Sequence, residues 1–467
     1  MVVRRIHRRA RTLALAAAVA GLGAVSAGSA SGTAPTPAWQ VYPMPAGLVT
    51  IGGEPTLGVD PASGDVLMQV WFKTFRLHDL DATGPGSATW TDVSPVLTSH
   101  VTADAILKTD PATGRTFVSQ LASACSLMAY TDDAGTSWTN VPLGCGAGTV
   151  FDHQSVSTGP YVAGGPLATV PHTYPDVVYY CAHDIVSATC APSVDGGNTF
   201  LPAQVVWDNT TCDESGVFGH VKTAPDGTVY VPPMFCKTFD PRTSTTKPKT
   251  IALASSDDNG LHWTMHRLSG NVYGDAGHGS LAVATDGTLY LTWGSADNGT
   301  GGPVKVAVSH DKGVTWSAPA TLGGTFGIVN SRFPIAVAGD PDRAVVAYLG
   351  SPTAGDANAV TYNGEWHLYA SHTYDGGVTW DTVDLTPSNP IQVGSVCTLG
   401  AGCPNKTYRN LLDFNDMVVD AKGRPYIAFT DGCTGATCTR TSPHEQTPAM
   451  ARLVGGLGVY SAYDGAL

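Results

Sequence analysis

The sequence predicts an all-β fold, a closed ring of similar four-stranded antiparallel sheets, and three observations predict it. The first is an octapeptide, Ser/Thr-x-Asp-x-Gly-x-Thr-Trp with near variants, that starts at residues 131, 193, 256, 309 and 373. The steps are 62, 63, 53 and 64 residues, a period at which recurrence marks a repeat array. The second is a pair of short apolar runs joined by an Asp/Gly turn, recurring between the octapeptides. The third is composition: 54 glycines and 32 prolines in 467 residues suit strands and turns, and 43% hydrophobic residues supply a core.

The octapeptide is a hairpin turn. An Asp side chain accepts hydrogen bonds from backbone N–H groups just ahead of it. The Gly two places on takes positive φ without a Cβ clash, and the Thr and Trp that follow suit a strand. The copies are Thr131 to Trp138, Ser193 to Phe200, Ser256 to Trp263, Ser309 to Trp316 and Thr373 to Trp380, with a degenerate sixth ending at Thr89-Trp90. These octapeptides resemble the Asp-boxes of bacterial sialidases (neuraminidases) and of other β-propellers. In that family the motif sits on the periphery of a blade, so the resemblance implies fold more than chemistry.

In chain order, residues 1–30 read as a signal peptide. Arg4, Arg5, Arg8, Arg9 and Arg11 precede the apolar stretch Leu13 to Val25, and small residues allow cleavage after Ala27 or Ala30. The paired arginines suggest twin-arginine export, while Arg11 and Thr12 favour the general secretory route; a retained membrane anchor is the other reading. Removal takes the net charge from −13 to −18 and leaves no basic stripe for nucleic acid. The expected product is a secreted, extracellular monomer with no membrane span.

Residues 31–50 form a linker and first strand, and 51–467 form the propeller. The strand–turn–strand openers run from Leu57, Ile106, Val221, Leu281, Ile335 and Met417, with a divergent copy after Phe151. Two strands followed by a hairpin carrying an Asp-box make a blade of about 45–60 residues. The openers give about seven blades, with the six-bladed sialidase fold as the alternative. Thr238 to Lys249 and Ser388 to Lys406 read as inserted loops. The ten cysteines lie in neighbouring pairs: 125/145, 181/190, 212/236, 397/403 and 433/438. In an exported chain they suggest local disulfides, with a metal site as the alternative for the last pair.

The first strand of each propeller blade lines the central axis, so polar residues just before these strands converge on one mouth. They are Glu54; His100 and Asp104; Asp152, His153 and Gln154; Asp213, Glu214 and His220; Asp275 and His278; Asn330, Ser331 and Arg332; and Arg409, Asp413, Asn415 and Asp416. Converging carboxylates raise one another's pKa and provide an acid and a base. The histidines with Asp152, Asp213 and Asp275 leave room for bound Ca²⁺ or Zn²⁺, although no i, i+4 spacing supports it. No cofactor is otherwise expected.

The resemblance to sialidases implies a glycan-active hydrolase of exo-α-sialidase type. In that family three arginines grip the sugar carboxylate, and a Tyr/Glu pair and an Asp do the chemistry. The family's Arg-Ile-Pro signature is absent near the N-terminus; Arg332-Phe333-Pro334 is similar but lies late in the chain. Carried over, Asp152, Glu214 and Asp413 are the acid/base candidates. Arg332 and Arg409 would hold an anionic substrate, with His153, His220 and His278 beside them. The alternatives are a non-catalytic propeller that binds carbohydrate or protein at the cell surface, and a polysaccharide lyase.

Overall fold

The computed structural model describes residues 35–49, 51–96, 103–122, 125–145, 152–183, 187–208, 210–212, 219–232, 236, 239–240, 245–246, 250–268, 279–297, 301–434, 438–442 and 444–466. The segment read as a signal peptide, 1–30, lies outside them. Seven four-stranded antiparallel blades form a ring, with almost no helix. Listed from the axis outward, blade 1 is Thr56–Val59, Val66–Val70, Lys73–His78 and Thr89–Asp92. Blades 2 to 6 repeat this order from innermost strands Ala103–Thr109, Asp152–Pro160, Lys222–Thr223, Ser280–Val283 and Asn330–Ala338. Blade 7 takes Asp416–Val419, Pro425–Asp431 and Thr447–Gly455 from the end of the chain and Ala38–Pro43 from its beginning. The ring is thus closed by hydrogen bonds between the two ends of the chain.

Each innermost strand packs beside the next, and that of blade 7 packs beside that of blade 1. Hydrogen bonds stitch neighbours together at one level of the ring. Thr56 Oγ1 accepts from Leu107 N (2.8 Å), Ser155 Oγ from Val221 N (3.0 Å) and Ser280 Oγ from Ala336 N (3.1 Å). Asp416 Oδ2 closes the circle by accepting from Leu57 N at 3.1 Å. The apolar core is divided among the interfaces, with one cluster between each pair of adjacent blades. Both faces of a blade are therefore covered. That is why second strands such as Val66–Val70 and Ala344–Ser351 are buried along their whole length rather than alternately.

The octapeptides join the third and fourth strands of blades 2 to 6 and share one geometry. In the fifth copy, Asp375 Oδ1 accepts from Thr379 N at 2.9 Å and Oδ2 from Thr379 Oγ1 at 2.6 Å. Thr373 Oγ1 donates to Asp375 and accepts from Gly377 N, whose φ is 87°. These donors hold the Asp375 carboxyl below its usual range although burial opposes them. The Asp/Gly turns join first and second strands, as in Gly64 N to Asp60 O. Four of the expected local disulfides are present: Cys181–Cys190, Cys212–Cys236, Cys397–Cys403 and Cys433–Cys438. Cys125 and Cys145 are cross-strand partners in blade 2. Among the described residues, no helix is long and apolar enough to cross a membrane.

Candidate active site

At the entry to four innermost strands the chain makes the same unusual turn. Glu54, Asp104 and Phe333 each stand three places before a stitching N–H (Leu57, Leu107 and Ala336), and His153 two places before the stitching hydroxyl of Ser155; each has positive φ: 56°, 51°, 45° and 54° in chain order. The strand register breaks beside the last three. A left-handed non-glycine residue costs about 1–3 kcal/mol, and such strain gathers where side chains must be aimed. Here Asp104, His153 and Phe333 line a pocket at the mouth of the channel. His220, Ser280, Phe414 and Asn415 complete it, so blades 2 to 7 all contribute.

At the floor of this pocket, His220 reaches across the channel from blade 4 to blade 7. Its Nδ1 lies 3.1 Å from Asp416 Oδ1, and its ring stands edge-on to Phe414 with centroids 4.9 Å apart. In the neutral ring, the tautomer that hydrogen-bonds to the Asp416 carboxylate has its proton on Nδ1 and its lone pair on Nε2. Nε2 is buried and has no hydrogen-bond partner among the described residues. Burial would raise the Asp416 carboxyl, but His220, Lys222 and the Leu57 N–H together hold it below the usual carboxylate range.

A second group stands at the rim. Glu54 is 4% exposed. Burial first, then the negative charges of Asp104 and Asp413, push its carboxyl well above the ordinary value, against the opposing pull of Arg409. Arg409 binds Asp413 through both guanidinium nitrogens, with Nη1 to Oδ1 at 2.6 Å. Asp104 belongs both to this group and to the pocket wall, so a carboxyl held in its acid form adjoins a carboxyl that faces the pocket.

The structure thus brings together His153, His220, Asp104 and Asn415 at the pocket and Glu54, Arg409 and Asp413 beside it. It does not bring Arg332 there. Arg332 is 1% exposed, with Nε donating to Val396 O (3.2 Å) and Nη1 to Ser331 O (3.0 Å). The segment 388–406, read from sequence as an inserted loop, covers it: Gln392–Val393 pairs with Glu365 and Trp366 of blade 6, and Val396 is buried. A grip on substrate by Arg332 does not fit this burial, and Arg409 is already committed to Asp413. Glu214, His278, His100, Asp213 and Asp275 lie outside the described residues, as does the side chain of Asp152. Among the described residues, no group of three His, Cys, Asp or Glu side chains is placed to hold a metal ion. Glu54, Asp104 and Asp416 were visible in the sequence as polar residues at strand openings, but nothing there ranked them. The ranking signal is position: three places before the stitching N–H for Glu54 and Asp104, and the stitching acceptor itself for Asp416.

No protein-family model matches the sequence, and no curated protein is similar to it. Solved structures are similar in shape. One, a protein of unknown function from Dyadobacter fermentans, has 12% identity and TM-score 0.46 over 89% of this chain and 98% of its own. The α-L-arabinanase of Penicillium chrysogenum, in complex with arabinobiose, has 13% identity and TM-score 0.41 over 68% of this chain and 94% of its own. A polysaccharide lyase, the PL25 ulvan lyase, has 9% identity and TM-score 0.42 over 88% of this chain and 96% of its own. At such scores none of these likenesses carries an activity to this chain.

Proposed function

We propose that the protein is a secreted glycoside hydrolase that works at the channel mouth. Its substrate is a glycan with no carboxylate at the cleaved residue. The observation that supports the reaction is an acid and a base at one mouth. Glu54, held protonated beside Asp104, supplies the proton for the leaving oxygen through the Asp104–Glu54 carboxyl pair. His220, oriented by Asp416, takes a proton from the attacking water. Asp413, fixed by Arg409, keeps negative charge against Glu54 and so keeps it acidic. A neutral substrate follows from the guanidinium groups: Arg332 is buried and Arg409 is paired, so neither is free for the carboxylate of a sialoside. The bare Nε2 of His220 also favours a second reading, a lyase that abstracts a carbon-bound proton.

The test is incubation of the protein with neutral glycans, a fluorogenic sialoside and uronate polysaccharides. New reducing ends from a neutral glycan support hydrolysis, whereas an unsaturated, ultraviolet-absorbing product supports the lyase. Glu54→Gln is expected to lower kcat by about 10²–10⁴-fold. In the wild type, activity should fall as pH rises through the elevated Glu54 value, because the acid form is the active one. Binding without turnover of any of these glycans would refute both enzymatic readings.

A further inference from the structure

The opposite end of the channel has a chemistry of its own. It opens into a cavity of about 860 Å³, measured to its open rim, to which all seven innermost strands contribute. Lys108 of blade 2 and Lys222 of blade 4 enter it from either side of Ser157 and Thr158 of blade 3. Both lysines are half-buried, and neither makes an ion pair or hydrogen bond with a described residue. In a chain of net charge −13, two ammonium groups on one wall with no hydrogen-bonded carboxylate among the described residues are the opposite of what the average surface offers.

The nearby carboxylates are engaged elsewhere. Asp110 accepts from Tyr174 Oη at 2.5 Å and Thr113 Oγ1 at 2.9 Å. Asp176, pushed up to about 6 by burial and by Asp110, leans on Asp110. Asp416 accepts its hydrogen bonds from His220 and Leu57 and attracts Lys222 and Lys108 only through space. Hydroxyl groups line the same cavity: Ser157 Oγ lies 3.1 Å from Thr223 Oγ1, and Thr158 Oγ1, in a residue 7% exposed, has no partner among the described residues. Burial first, then Lys222, push the Lys108 ammonium down to about 8. An oxyanion can accept hydrogen bonds from both ammonium groups and from a threonine hydroxyl at once.

We propose that this end of the channel is a binding site for a small oxyanion, phosphate or sulfate, free or carried on a sugar, held by Lys108, Lys222 and Thr158. The site lies on the far side of the His220–Asp416 bridge from the mouth, and both lysines share a small cavity with that bridge. The geometry also sets its pH dependence. Lys108 is below its unfolded value, so its charge destabilises the fold at neutral pH, and that cost fades as pH rises from about 8 towards 10.5. The anion binds the charged form, so its effect should fade over the same window.

The experiment is thermal unfolding and titration calorimetry of the full mature chain with sodium sulfate, sodium phosphate or a sulfated monosaccharide. Sodium chloride at matched ionic strength is the control. At pH 7 an oxyanion should raise Tm by about 2 °C or more over chloride, and the gain should be lost by about pH 10. A response to the sulfated sugar alone would assign the site to a sugar-borne anion, and a response to all three to the free ion. Lys108→Met and Lys222→Met should each weaken binding at least about tenfold, the loss of one charged contact. Thr158→Val, which preserves shape, should weaken it less. Equal shifts with chloride and sulfate, or an unchanged oxyanion response in the Lys108/Lys222 double variant, would overturn the site.

Discussion

At the scale of single residues, Asp416 carries the most. One carboxylate closes the hydrogen-bonded circle through Leu57 N and orients His220 across the channel. Its two oxygens therefore tie the closure of the ring to the geometry of the base. Asp416→Ala leaves an imidazole and an amide unsatisfied in a buried place and should cost about 3 kcal/mol or more in urea unfolding. The sign of its titration follows from the depressed value. Its stabilisation is present above the ordinary carboxylate range and is lost as pH falls through the folded value. Glu54 has the opposite sign: its raised value means that stability is lost as pH rises. An acid-side stability profile of Asp416→Ala should thus be flatter than that of the wild type. A wild-type slope retained in full would remove Asp416 from this role.

At the scale of elements, the octapeptide hairpin is a self-contained device. Its Asp is satisfied within four residues, so it needs little from the rest of the fold. Its glycine is less independent. A Cβ on Gly377 would stand 2.8 Å from Val308 Cγ2, in a conformation with φ of 87°. Gly377→Ala is therefore expected to destabilise blades 5 and 6 by about 1–3 kcal/mol, measured by urea unfolding. Gly376→Ala, where a Cβ meets nothing but φ is also positive at 75°, isolates the backbone part of that cost. Equal effects at the two positions would show that the contact with Val308 contributes nothing.

At the scale of the whole molecule, closure depends on Ala38–Pro43. Tyr42 is fully buried, and its hydroxyl donates to Asp81 at 2.8 Å, an oxygen that Arg452 also binds. Asp81 lies in the loop between the third and fourth strands of blade 1, where blades 2 to 6 carry an Asp-box, and it anchors the closing strand. Deletion through Pro43 would expose the edge of Thr447–Gly455 and the apolar interface between blades 7 and 1. The truncated chain should aggregate or bind a hydrophobic dye, and should lose the single cooperative transition. A truncated chain with unchanged Tm would mean that six-residue closure is dispensable.

The repeat was legible because its turns are local. Asp311, Gly313 and Trp316 need only one another to make a hairpin, and their spacing counts blades without knowledge of the ring. The convergence of strand openings on one mouth followed from the same count, as did four disulfides between near neighbours. Which residue at each opening enters the pocket was not local. Arg332 looks available in the sequence until 388–406 folds over it, and Arg409 until Asp413 claims its guanidinium. The pairing of His220 with Asp416, 196 positions apart, exists only because a closed ring sets blades 4 and 7 across a narrow channel. Chain spacing governs turns, whereas burial and cross-channel distance govern charge, and only the folded ring sets those.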